Sequence, residues 1–143
     1  MFDSNKLQTE IFKKVLVRNT HARYSDDDGF VCFTADGYSA FRIPKNDVCI
    51  DLSKMMRLDN LKDHFYIGET AKEIKITKIC EHTPKGMLIK LEGNGVEVWA
   101  AKRFIDQYYD DQRLYIELES TPIKFVSMVT DKVEAIVFPV LRR

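Results

Sequence analysis

No apolar run in this 143-residue chain approaches the roughly 18 residues that would cross a bilayer. No membrane association is therefore expected. The opening MFDSNKLQ lacks both the basic and the apolar region of a secretory signal. Net charge is also missing: 22 basic residues face 22 acidic ones, so the chain does not coat nucleic acid by bulk charge. A local basic face offset by acids elsewhere remains open. Only three cysteines occur, Cys32, Cys49 and Cys80, an odd number without paired spacing. Each falls in an apolar strand-like stretch, and they are expected to be reduced core residues of a cytoplasmic protein.

Motifs of catalysis are equally scarce. No serine or cysteine sits in a glycine-flanked elbow with a histidine placed as its base. The few glycines mark hairpin turns rather than a phosphate-cradling loop. Cys80-Glu81-His82 offers soft ligands, but neither His21 nor His64 has a partner at metal-site spacing. Asp26-Asp27-Asp28 resembles the start of a calcium loop, yet the glutamate such a loop needs is replaced by Gly37. The expectation is a non-enzymatic protein with no cofactor and no metal.

What the chain does contain is a rhythm. Near the C-terminus a short strand, VEVWA, runs into a helix, AKRFIDQYYD, and then three strands, RLYIELE, PIKFVSM and VEAIVFPV. A weaker version stands at the start: a helix over NKLQTEIFKKVLVRN, then GFVCFTA, GYSAFRIP and NDVCIDL. Two such units predict one α+β domain over 1–143, with halves of roughly 1–60 and 84–143 joined by a crossover.

Asp3 or Ser4 is positioned to cap the first helix, which should stop near Asn19-Thr20. Leu7, Ile11, Phe12, Val15 and Leu16 give it one broad apolar face. Asp26 to Gly29, Asp36-Gly37 and Glu92 to Gly95 are turn signals. Met55, Met56, Leu58, Leu61 and Phe65 suit a short irregular helix in the crossover, and IKITKIC alternates as a strand. In the second helix Ala101, Phe104, Ile105 and Tyr108 should point inward.

Two constellations stand out. The outward sides of the helices carry Lys6 and Lys13, flanked by Lys14 and Arg18, and then Lys102 and Arg103. Side by side, the helices would offer a patch that meets phosphates without reading bases; a plain solvated face is the other reading. The C-terminal Phe138-Pro139-Val140-Leu141 either closes the core or lines an exposed groove.

Three segments carry a family resemblance. TADGYSAFRIP resembles the ATDG-hydrophobic signature of bacterial DNA polymerase sliding clamps. VEVWAAKRFIDQYYDDQRLYIELESTPIKFVSM looks like the clamp run of strand, helix, polar turn and strands around a Pro-hydrophobic pair. VEAIVFPVLRR is similar to the clamp ending. Together they cover about half the chain, in the right order. The resemblance implies a DNA-clamp-like domain of two pseudo-symmetric βαβββ halves, with both helices on one face of antiparallel sheets. It implies that Lys6, Lys13, Lys14, Lys102 and Arg103 face the backbone of double-stranded DNA. It also implies a groove for short peptides of replication or repair proteins at Tyr38, Ala40, Phe138, Pro139 and Val140. Clamps of this family carry three such domains per chain in a ring of six, so one domain implies a homo-oligomer. Two readings result: a small clamp-like replication or repair accessory of phage or mobile-element type, and a protein-interaction module that mimics one clamp domain without encircling DNA.

Overall fold

A computed structural model describes residues 3–18 and 21–141. It is an α+β structure in which ten strands form one mixed sheet and two helices pack against it. Helix α1 spans Ser4–Leu16, and the Asp3 side chain caps it by accepting the Lys6 amide at 3.1 Å. Strands β1 (Arg23–Asp27), β2 (Phe30–Thr34) and β3 (Ser39–Pro44) follow, with the two-residue β4 (Met56–Arg57) beyond them. The second part comprises β5 (Lys72–Thr83), β6 (Gly86–Gly93), β7 (Val96–Ala101), α2 (Lys102–Tyr108), β8 (Arg113–Ile116), β9 (Ile123–Val126) and β10 (Val133–Val137).

The sheet order is β4-β1-β2-β3-β10-β9-β8-β5-β6-β7. Its middle six strands read the same from either end when β1, β2 and β3 are exchanged for β8, β9 and β10. The antiparallel β3–β10 pair sits at the centre. The flanks differ, because β4 pairs with β1 in parallel whereas β5 pairs with β8 antiparallel. An all-antiparallel sheet was expected, and the parallel β4 contact corrects it. At the far edge, Trp99 of β7 bridges Val140, so the chain leaving β10 closes the second half of the sheet on itself.

Both helices bury their apolar sides on one face. Leu7 and Ile11 of α1 join Phe104, Ile105 and Tyr108 of α2 in a core with Phe33, Phe41 and Phe125. Glu10 accepts a hydrogen bond from the Gln107 side chain at 3.1 Å, linking one helix to the other. The apolar face of α1 is narrower than expected: Phe12 is 48% and Leu16 66% exposed. Each residue turns the helix by about 100°, so Phe12 already rotates off the sheet that Ile11 meets.

The first half departs from its expected register. Asp26 and Asp27 belong to β1, and only Asp28 and Gly29, both at positive φ, make the turn. No strand forms over Val48 to Leu52. The buried Gln8 side chain instead donates to the Asp47 carbonyl at 3.0 Å and accepts the Cys49 amide at 2.7 Å. Those bonds stand in for a ladder, while Val48, Ile50 and Leu52 still pack on the core. The three strands after α1 are therefore β1 to β3, one strand earlier than the apolar pattern suggested. The expected helix stop at Asn19-Thr20 lies outside the described residues, as does any strand at Met1-Phe2; α1 ends at Leu16.

Between β4 and β5 the chain crosses the other sheet face with a single four-residue 3-10 turn, Leu61–His64, in place of the expected irregular helix. Leu61 and Phe65 cover Cys32, Ala40 and Ile136 there. Glu117 anchors this crossover by accepting the Gly68 amide at 3.0 Å, and it lies 3.5 Å from the buried Lys124 ammonium. That ammonium also sits 4.2 Å from the Tyr66 ring centre. Glu117→Ala strands a buried cation and is expected to cost about 2–3 kcal/mol in urea unfolding. Adding Lys124→Met should restore most of it, and an unchanged midpoint in the single variant would refute the anchoring role.

Candidate functional site

Four of the five groove residues expected from the sequence come together. Tyr38 stands at the β2–β3 turn, which Asp36 shapes by accepting the Tyr38 and Ser39 amides at 2.8 and 3.0 Å. The Tyr38 carbonyl accepts the Phe138 amide at 2.9 Å, and the Trp99 carbonyl accepts the Val140 amide at 2.7 Å. These two bonds hold Phe138-Pro139-Val140 as one wall of a groove of about 930 Å³. The opposite wall is the β5–β6 hairpin tip, Thr83 to Leu88, and the floor is the β7–α2 junction with Phe104. His64 of the crossover packs edge-on against the Phe138 ring, 5.5 Å between centres.

Ala40 is the exception and is corrected here. It is 2% exposed and sits in the core on the opposite face with Cys32, Leu61 and Phe65. Strand alternation is the reason: Ser39 and Phe41 turn toward the helices, so Ala40 turns away.

The basic residues are dispersed. Lys6 and Arg103 border one shallow depression together with Asp3, Glu10 and Asp106. Lys14 and Arg103 border the cleft between the helices, and the exposed Lys13 lines neither. Lys102 is engaged with Asp106 one turn on, and that hydrogen bond raises its pKa above the usual lysine value. Arg103 stacks 4.7 Å over the Phe104 ring and so lies at the boundary between helix face and groove. The two site predictions therefore meet at Lys102 and Arg103, both of which line the groove.

Sequence reasoning missed the hairpin wall, above all Lys85, Met87 and Leu88. Its approach to the C-terminal segment depends on the Trp99–Val140 closure, which no local pattern announces. The cysteine reading also needs correction, since Cys49 and Cys80 are exposed and only Cys32 is buried. Burial, with Asp27 nearby, pushes the Cys32 thiol up to about 12, which keeps it protonated and un-nucleophilic at neutral pH. Among the described residues no group of three or more His, Cys, Asp or Glu is arranged to hold a metal ion. Nor is any described helix long and apolar enough to cross a membrane.

No protein-family model, curated protein or solved structure matches this chain. What the fold and site define is a class: an α+β protein with one mixed ten-stranded sheet, paired helices and an apolar surface groove.

Proposed function

We propose that this chain is a non-enzymatic, clamp-like binding module of DNA replication or repair that captures a short extended segment of a partner protein. The observation that carries this reading is the convergence of Tyr38, Phe138, Pro139 and Val140 on one apolar groove. The ordered sequence resemblance to sliding clamps supports it. So does the symmetric order of the six central strands, with both helices on the same side. These features favour two pseudo-symmetric halves, the finer description that the clamp reading needs. The groove volume lies near the upper end of the roughly 300–1,000 Å³ of pre-formed ligand sites. It suits a few side chains of an extended peptide held by one or two anchors.

A random peptide display library selected on the whole protein tests this. Enriched peptides should share an apolar pair and bind at micromolar levels by calorimetry. Val140→Asp, which places a charge on the groove wall, should weaken them at least tenfold. No enrichment, or affinity indifferent to Val140→Asp, would remove the groove from function.

Contact with the DNA backbone is the second reading. It draws on exposed Lys6, Lys13 and Arg103 with half-buried Lys14 on the paired helices. Asp3, Glu10 and Asp106 lie among them, so the face is mildly rather than strongly basic. In this reading copies of the chain assemble into a homo-oligomer around the duplex.

A further inference from the structure

The groove carries a charge asymmetry that its apolar lining conceals. Three cations border it, Lys85 at the hairpin tip and Lys102 and Arg103 at the start of α2, against one acid, Asp106. That acid is already committed to Lys102. Among the described residues neither Lys85 nor Arg103 has a carboxylate partner; the Arg103 guanidinium lies on the Phe104 ring at the groove floor instead. Stacking of that kind leaves the N–H edge of the guanidinium available, and that edge matches a carboxylate in two parallel hydrogen bonds.

We infer that the groove selects an acidic segment of a partner protein, an apolar anchor pair flanked by at least one aspartate or glutamate directed at Arg103 and Lys85. This rests on the groove being a peptide site and names the class of peptide. Seating the anchors on Phe104, Phe138 and Val140 expels water from the rim, where the charges then interact through a lower effective dielectric. A neutral segment would bury both cations without compensation. A basic one would be repelled by them.

The test uses the full chain and three labelled octapeptides, Ser-Xaa-Leu-Xaa-Trp-Leu-Xaa-Ser, with every Xaa Asp, Asn or Lys. Fluorescence anisotropy at about 50 mM salt, where screening is weak, should rank Asp above Asn by roughly tenfold or more, with Lys weakest. At about 500 mM salt the Asp–Asn gap should narrow. In Lys85→Gln/Arg103→Gln, two exposed changes, it should fall close to one, because the Asp peptide loses its partners and the Asn peptide no longer buries two uncompensated cations. Equal binding of all three peptides, still lost in Val140→Asp, would overturn the charge preference and leave the groove reading standing. Tightest binding by the Lys peptide, or an Asp–Asn gap untouched by the double variant, would also overturn it. Binding by none up to millimolar concentration would end the groove reading and this inference with it.

Discussion

Tyr108→Ala is expected to cost about 3–5 kcal/mol of unfolding free energy, the range for deleting a large buried aromatic side chain. Tyr108 ties the short α2 to both halves of the sheet. Its ring lies 6.3 Å from Phe41 of β3 and 6.1 Å from Phe125 of β9, centre to centre. Its hydroxyl shares a 3.0 Å hydrogen bond with the Ser39 hydroxyl. A seven-residue helix has little stability of its own, so its position derives from this anchor and from Phe104 and Ile105 beside it. Tyr108→Phe keeps the ring and removes only the bond, at about 1 kcal/mol. Urea unfolding separates the two variants, and equal losses would show that the ring is not the dominant contact. Burial raises the phenol pKa in the folded state. Its contribution is thus complete below the unfolded tyrosine value of about 10 and declines as pH rises past it. The alkaline loss should be smaller in Tyr108→Phe.

How far the sequence spoke for this fold depended on how each element hides its polar groups. The second half was legible strand by strand because RLYI, IKFV and VEAIV are apolar in themselves, and Asn94-Gly95 announces its hairpin with two residues at positive φ. In the first half β1, Arg-Tyr-Ser-Asp-Asp, carries no apolar alternation. Its stability comes from five paired positions with β2 and from the Asp27–Arg42 ion pair at 3.0 Å, neither visible in a local pattern. Val48 to Leu52 has strand-like letters but finds its backbone partner in Gln8 of α1. Both misreadings trace to tertiary bonds formed by polar residues. The groove divided the same way. Its C-terminal wall was legible as an apolar chain end, whereas Ala40 failed because strand alternation sends it to the opposite core. Lys85 was overlooked because only the closure of β7 onto Val140 makes a remote hairpin tip into a wall.

Lys13→Glu/Arg103→Glu should abolish whatever affinity the protein has for duplex DNA, and this decides the backbone reading. If Lys6, Lys13, Lys14 and Arg103 each neutralise one phosphate, log K falls with log salt at a slope of about −3.6. That is a loss of roughly 100-fold between 50 and 200 mM salt. Lys102 adds little to this footprint, because Asp106 already holds it. Two reversals remove two contacts and set two carboxylates against the phosphates, so binding should be lost even at low salt. Both residues are exposed, and the variant should unfold like the parent. Lys102→Ala serves as the internal contrast and should change duplex affinity less than twofold. Unchanged affinity in the double reversal, measured on a labelled blunt duplex, would take these helices out of DNA contact. Arg103 would then belong to the groove alone, and any duplex affinity would come from another face of the chain.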